Sequence, residues 1–128
     1  MTASGVAWRL KREYPYMPSP LLHDGVLYTV RNGGIVMSID PPTGKTLKMA
    51  RLPGAPGAYV SSPVAADGKL FITSNECKVS VVRALAQWEP LAVNDLNDDC
   101  FATPALAGGR LVIRTRTALY AFAEGAGK

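Results

Sequence analysis

The feature of this chain that most constrains its fold is a segment that occurs three times and aligns without gaps. Each copy has a proline, a glycine five residues later and a leucine two residues after the glycine. The three sets are Pro20, Gly25 and Leu27; Pro63, Gly68 and Leu70; and Pro104, Gly109 and Leu111. The residues that precede the glycines are Asp24, Asp67 and Gly108. A turn dipeptide of this kind between two apolar runs is typical of a β-hairpin, so the sequence predicts three equivalent hairpins.

A third apolar run follows each hairpin after a short polar or glycine-containing turn, at residues 35–39, 79–83 and 119–123. The prolines of successive copies lie 43 and 41 residues apart, which leaves room for a fourth strand in each copy. A period of about 40–45 residues with four strands is expected of a β-propeller blade. We therefore predict an all-β protein, a β-propeller made of about three four-stranded antiparallel blades.

The predicted blades form a single unit over residues 1–128, with one repeat in each blade. The first blade covers about 17–52, the second about 59–94 and the third about 101–124. The third blade has no outer strand of its own, whereas residues 6–12 alternate apolar and polar side chains as a half-buried strand does. We expect this N-terminal strand to complete the last blade, either of its own chain or of a partner chain.

The apolar pattern also predicts how the chain assembles. The second strand of each hairpin is apolar on both faces, as in residues 70–72, which implies neighbouring sheets on both sides. An open arc of three blades would leave apolar faces larger than the few hundred Å² that soluble monomers usually tolerate. We therefore predict a homo-oligomer, a dimer that closes one six-bladed propeller. A chain cut from a longer propeller is the alternative interpretation.

Composition and charge exclude several other classes of protein. With 48% hydrophobic residues and a mean hydropathy of +0.08, the 128-residue chain is typical of a globular protein. Its net charge of +4 is mild and its basic residues form no run longer than two, so no nucleic-acid partner is predicted. Neither a membrane span nor a secretory signal peptide is visible in the sequence as given.

Two stretches resemble a known family. Residues 62–72 and 39–47, the latter with a Thr-Gly-Lys turn, look like the repeats of pyrroloquinoline-quinone (PQQ) type β-propellers. Such propellers occur in quinoprotein alcohol dehydrogenases and in the lipoprotein that scaffolds outer-membrane β-barrel assembly. The resemblance extends from Trp8 to about Ala123 and implies a periplasmic or extracytoplasmic location. The family repeat tends to have a tryptophan after the turn, where this chain has Lys48 and Met49, so we expect Trp8 and Trp88 to take that packing role.

The resemblance leaves two functional alternatives, because the repeat occurs in enzymes and in binding scaffolds. Quinoprotein dehydrogenases have adjacent cysteines near the cofactor and a calcium ion held by carboxylate and amide side chains, whereas Cys77 and Cys100 are not adjacent. No residue pattern matches that site, and no catalytic residue is predicted. We therefore predict a noncatalytic binding or scaffold module without a cofactor. The alternative is a fragment or subunit of a quinone-dependent oxidoreductase that binds PQQ and calcium.

The candidate binding residues lie in the turns between the second and third strands of the blades. In a propeller these turns share one face, and loops on a rigid scaffold are where binding residues are often found. The candidates, for a protein or small-molecule ligand, are Arg31, Asn32, Asn75, Glu76 and Arg116.

The two cysteines fall on the same face as these turns. Cys77 lies in the second turn, and Cys100 lies at the end of the crossover to the third blade. A disulfide that staples the second blade to the third is one alternative, and two free buried thiols are the other.

An acidic run before the third blade is the local candidate for a metal site. Asp95, Asn97 and Asp99 have a one-three-five spacing that could offer oxygen ligands to calcium. The rest of a calcium-binding loop is absent, because Cys100 stands where such a loop has glycine. We therefore expect a solvated loop here and keep calcium as the weaker alternative.

Overall fold

The computed structural model describes residues 8–9 and 18–123 and builds this part of the chain from eleven β-strands and the turns between them. The first sheet contains β1 (Leu21–His23), β2 (Val26–Arg31), β3 (Ile35–Asp40) and β4 (Lys45–Arg51). The second contains β5 (Val64–Ala66), β6 (Lys69–Thr73), β7 (Lys78–Arg83) and β8 (Glu89–Asp95). The third contains β9 (Ala105–Ala107), β10 (Arg110–Arg114) and β11 (Leu119–Ala123). Every sheet is antiparallel, and consecutive strands are neighbours.

The three predicted hairpins are present, with the predicted dipeptides at their tips. In the first, His23 pairs with Val26, so Asp24 and Gly25 are the two residues of the loop. Both have positive φ, 47° and 75°, which is the type I′ geometry that Asp-Gly favours. The other two tips have the same backbone geometry at Asp67, Gly68, Gly108 and Gly109. Local turn chemistry therefore sets the register of each hairpin.

The first and second sheets pack face to face. Strand alternation points Tyr28, Val30 and Val36 towards the second sheet, whose Leu70 and Val82 point back. The cluster also contains Ile72, Leu52, Ala55, Tyr59 and Trp88, all of them buried. This apolar interface provides most of the attraction between the two sheets.

Polar contacts tie the turn between β7 and β8 to the same face of the first sheet. The Tyr28 hydroxyl donates to the carbonyl of Leu85 at 3.1 Å, and the Ser38 hydroxyl donates to that of Ala86 at 2.6 Å. Lys48 Nζ donates to the carbonyl of Trp88 at 2.6 Å and lies 4.5 Å from the centre of the Trp88 ring. The indole of Trp88 is thus a buried packing element between sheets, as we predicted from its position.

A second, smaller core joins the second sheet to the third. Its buried members are Cys77, Val79, Cys100, Leu111 and Ile113. The short inner strands lie side by side, β1 against β5 and β5 against β9. The sheets are therefore arranged as adjacent blades with their inner strands near a common centre, which confirms the predicted all-β propeller architecture.

The predicted N-terminal strand, residues 6–12, lies outside the described residues except for Trp8 and Arg9, which are not in a strand. Trp8 packs on the turn between β3 and β4. Its indole Nε1 donates to the carbonyl of Pro41 at 2.5 Å, and its ring lies so close to Gly44 that a Cβ there would be 2.5 Å from Cδ2. The third sheet has three strands in the described part of the chain, so completion of that sheet by an N-terminal strand remains a prediction.

Candidate binding face

Three equivalent turns, each between the second and third strands of its sheet, lie on one face of the molecule. They are residues 32–34, 74–77 and 115–118, and Arg31, which was predicted to lie in the first turn, is the last residue of β2. Each is hydrogen-bonded to a crossover between sheets: Gly33 N donates to Gly57 O at 2.6 Å, Asn75 N to Ala58 O at 2.9 Å and Arg116 N to Asp99 O at 2.8 Å. We call the three turns together with the crossovers 52–63 and 96–104 the turn face.

Two of the predicted binding residues have side chains that hold the crossovers. The amide oxygen of Asn32 accepts a hydrogen bond from Tyr59 N at 2.9 Å, and that of Asn75 accepts one from Val60 N at 3.3 Å. The carbonyl of Asn75 also accepts from Cys100 N at 3.0 Å. An asparagine oxygen therefore satisfies a crossover N–H that would otherwise lack a protein acceptor. The sequence did not reveal this structural role, because each bond joins residues far apart in the chain.

The charged candidates differ in how freely they project. Arg31 is half-buried, and its Nε is buried with no hydrogen-bond partner in the described part of the chain. Arg116 is exposed, with Nη1 3.6 Å from a carboxylate oxygen of Asp99. Glu76 is also exposed, and its charge is the second cause, after burial, that raises the pKa of the Tyr59 hydroxyl. Glu76 and Arg116 are thus the candidates whose charged ends face solvent.

Asp98 is a polar residue of the turn face that the sequence reasoning missed. Its Oδ2 accepts hydrogen bonds from the Thr117 hydroxyl at 2.5 Å and from Thr117 N at 3.2 Å. The side-chain hydrogen bond of Thr117, followed by that of Thr115 and the backbone N–H of Asp99, lowers the pKa of the Asp98 carboxyl to about 2. Asp98 therefore links the crossover 96–104 to the turn 115–118.

The three candidate calcium ligands make contacts within the protein. Asp95 Oδ1 accepts from Asn97 N at 2.8 Å, and Asn97 itself adopts a left-handed φ of 53°. Asp99 faces the guanidinium of Arg116, which competes with a cation for the same carboxylate. Among residues 8–9 and 18–123, no group of three His, Cys, Asp or Glu side chains is placed to hold a metal ion. In the described part of the chain, these three side chains do not form the calcium site that the resemblance implies.

The structure joins Cys77 and Cys100 in a disulfide with a Cα–Cα distance of 4.9 Å. Both residues are fully buried in the core between the second and third sheets. Cys77 also has a positive φ of 60°, and its N–H donates to the carbonyl of Ser74 within the turn. The bond therefore connects the turn 74–77 to the crossover 96–104. It is not the bond between adjacent cysteines that a quinoprotein site would require.

A cleft of about 330 Å³ opens beside the third sheet, where the crossover 96–104 meets the end of β10. Its lining is amphipathic: Asp99, Phe101, Ala102, Arg114, Thr115 and Arg116. The Phe101 side chain is 62% exposed, which is unusual for an aromatic ring. Of these residues, Thr115 and Arg116 were expected from their turn position and Asp99 from the acidic run, whereas Phe101 and Arg114 become neighbours of Arg116 only through folding. The described residues contain no helix with the length and hydropathy needed to cross a membrane.

Comparison with known proteins identifies the fold. No family model and no curated protein matches the sequence. Among solved structures, BamB from Moraxella catarrhalis is similar with a TM-score of 0.67 and 17% identity, over 85% of this chain and 34% of that protein. The quinohemoprotein alcohol dehydrogenase ADHIIG from Pseudomonas putida HK5 is similar with a TM-score of 0.70 and 18% identity, over 95% of this chain and 20% of that enzyme. The quinohemoprotein alcohol dehydrogenase from Comamonas testosteroni is similar with a TM-score of 0.64 and 17% identity, over 85% of this chain and 18% of that enzyme.

These likenesses confirm the resemblance at the level of fold: the chain has the architecture of quinoprotein-like β-propellers. It spans about a third of the length of BamB and about a fifth of the length of the two dehydrogenases. At identities below 20%, fold is all that the comparison shows.

Proposed function

We propose that this chain, with the fold of quinoprotein-like β-propellers, is a noncatalytic binding or scaffold module that takes a protein or small-molecule ligand on its turn face. One observation carries the proposal. The turns and crossovers are locked to each other by backbone bonds, by the side chains of Asn32 and Asn75 and by the disulfide, while Glu76 and Arg116 project into solvent. A rigid platform that presents charged side chains is suited to recognition, since little freedom is lost on binding.

Charge substitution on the turn face tests this proposal. The variant Glu76→Gln/Arg116→Gln removes the two projecting charges and is expected to lose binding to a peptide array of mixed acidic and basic sequences. The matched control, Asp67→Asn/Lys69→Gln, removes the same pair of charges near the hairpin tip at the opposite end of β6. Peptide signals that survive in the first variant, or that disappear equally in the control, would contradict binding on the turn face.

We infer in addition that the binding unit is a ring made by two copies of the chain. The described part has three sheets, whereas propellers typically close with four to eight blades. Two copies would supply six blades and three copies nine, so a dimer is the smaller assembly within that range. Light scattering should give twice the chain mass of 13.6 kDa. A mass of one chain at all concentrations would refute closure by a second copy.

The similarity to two quinohemoprotein alcohol dehydrogenases favours one other candidate, a fragment or subunit of a quinone-dependent oxidoreductase. It predicts that PQQ binds in the presence of calcium and that the loaded protein reduces an electron-acceptor dye. We expect neither, because the carboxylates of Asp95 and Asp99 already contact the N–H of Asn97 and the guanidinium of Arg116. Calcium-dependent quenching of protein fluorescence by PQQ, together with alcohol-dependent dye reduction, would establish the oxidoreductase alternative.

A further inference from the structure

A regular set of hydrogen bonds connects the three repeats at the residue that precedes each repeat proline. Ser19 N donates to Ser62 Oγ at 2.8 Å, and Ser62 N donates to Thr103 Oγ1 at 2.9 Å. These residues precede Pro20, Pro63 and Pro104. At this position each repeat therefore gives its N–H to the hydroxyl of the next repeat. We call this series the hydroxyl ladder.

The ladder is open at both ends. Within the described part of the chain, the N–H of Thr103 has no acceptor and the hydroxyl of Ser19 has no donor. Since each step runs in the same direction along the repeats, one more step would place a Ser19 hydroxyl beside Thr103 N. The hydroxyl of Ser19 does not make this bond within the described chain, so the next step calls for a hydroxyl from outside it, and a second copy supplies one at its own Ser19.

Exposure around the ladder shows the same missing neighbour. Ser61 is fully buried, and its hydroxyl donates to the carbonyl of Ala102 at 2.9 Å. Ala102, which holds the equivalent position one repeat later, is exposed, and Phe101 is exposed where its equivalent Val60 is half-buried. In the second repeat, Ser61 is covered by the crossover 96–104, which leads into the third sheet. The cleft lined by Phe101 and Arg114 is thus the place that the crossover of a following repeat would fill.

Trp8 gives an independent indication from the other end of the chain. Lys48, on the outer strand β4, donates from its side chain to a carbonyl in the β7–β8 turn of the next sheet. Trp8 makes the same kind of contact, from its indole to the carbonyl of Pro41 in the β3–β4 turn. The position of Trp8 relative to the first sheet therefore corresponds to the position of Lys48, on β4, relative to the second sheet. From this contact we infer that Trp8 lies where the outer strand of a preceding sheet would lie.

We propose that a second copy of this chain docks on the cleft beside the third sheet, with its Ser19 hydroxyl accepting the N–H of Thr103 and its Pro18 lying against Ala102, as Ala102 lies against Ser61. The same contact with the roles of the two chains exchanged closes the ring. The hydroxyl ladder then runs through all six repeats of the two chains. This inference rests on the proposed dimer and adds to it the interface and the direction of assembly. A closed ring also explains why both ends of the ladder lack a partner within one chain.

Cross-linking between designed cysteines tests the interface. In the variant Ser19→Cys/Thr103→Cys, mild oxidation should link positions 19 and 103 of different chains, giving a covalent dimer on a nonreducing gel. The matched control, Ser19→Cys/Ser62→Cys, joins two residues that are neighbours within the ladder and should give a link within one chain at monomer mass. Mass spectrometry of the peptides identifies each link and separates it from the native disulfide.

Removal of one hydroxyl gives a second measurement that does not depend on a new bond. Ser19→Ala deletes the acceptor for Thr103 N of the other copy and leaves the Ser19 N–H bond to Ser62 in place. One hydrogen bond corresponds to about a 2- to 12-fold change in an equilibrium constant, so the two bonds of a ring should raise the dimer dissociation constant about 4- to 150-fold. Ser62→Ala removes a bond within the chain, so it should lower the thermal midpoint and leave the dissociation constant within about twofold.

The outcomes separate this inference from the proposed dimer. A dimer by light scattering without the 19–103 link, or with a dissociation constant unchanged by Ser19→Ala, would overturn the ladder interface and leave dimerisation standing. A chain that is monomeric at all concentrations would overturn both. A 19–103 link within a single chain would instead show that the three repeats close on themselves.

Discussion

Removal of the disulfide between Cys77 and Cys100 should cost a large part of the stability of this protein. The two cysteines are 23 positions apart, and cross-linking a loop of that size lowers the entropy of the unfolded chain by an amount worth about 3 kcal/mol at 25 °C. A domain of ordinary stability has about 5–15 kcal/mol in total. Cys77→Ala/Cys100→Ala is the appropriate change, because both side chains are fully buried and alanine introduces no polar group.

The effect should be concentrated at one end of the molecule. The disulfide belongs to the core between the second and third sheets, where the other buried apolar members are Val79, Leu111 and Ile113. The core between the first and second sheets is larger and has no part in the bond. Amide hydrogen exchange should therefore accelerate most in β9, β10 and β11 and least in β1–β4.

Urea unfolding followed by tryptophan fluorescence, to which Trp88 buried between the first two sheets contributes, measures the loss of stability at a single protein concentration. The oxidised wild type should show no free thiols when denatured without reductant and two after reduction. Reduced wild type is the control and should unfold near the midpoint of the double variant. Equal midpoints for the oxidised wild type and the variant, or two free thiols before reduction, would refute the reasoning.

Three further changes test other contacts. Asp98→Asn should flatten the loss of stability between about pH 4 and pH 2, because a carboxyl with a folded pKa of about 2 and an ordinary value of 3.8 stabilises the fold above that range and loses its contribution as the pH falls through it. Acid titrations followed by circular dichroism that lose stability equally in the wild type and in Asp98→Asn would contradict this. Ser38→Ala should cost about 1 kcal/mol in urea unfolding, since the carbonyl of Ala86 loses the donor that the buried Ser38 hydroxyl supplies. Ser80→Ala is its control and should be neutral, because the buried Ser80 hydroxyl has no partner in the described part of the chain, and equal losses would count against the argument. Gly25→Ala and Gly34→Ala both place alanine at a φ near +75°, and this backbone conformation should cost about 1 kcal/mol of stability in each variant. Gly34→Ala should be several times more destabilising in the same assay, because its Cβ would lie 2.5 Å from a crossover carbonyl while nothing is within 4 Å at Gly25, and similar midpoints would show that the crossover yields freely.

The candidate site was less predictable than the fold, for a physical reason that individual residues show. The sequence predicted that Asn32 lies in the turn between the second and third strands, and the structure has it there. The partner of its side chain is Tyr59 N, 27 residues away, and no local pattern encodes that pairing. The sequence pattern pointed to Asp95 and Asp99 and not to Asp98. The carboxylate of Asp98 accepts a hydrogen bond from Thr117, and only folding brings these two residues together.

By itself, the sequence determined the repeat, the three hairpins and the all-β blades, because turn dipeptides and apolar alternation act over a few neighbouring residues and leave a direct trace in the chain. It also placed Cys77 and Cys100 on one face without deciding whether they are bonded. The tertiary structure decided the bond, the two cores and the hydrogen bonds that turn Asn32 and Asn75 into supports for the crossovers. Those outcomes depend on distances between segments that are far apart in sequence, and such distances exist only once the sheets have packed.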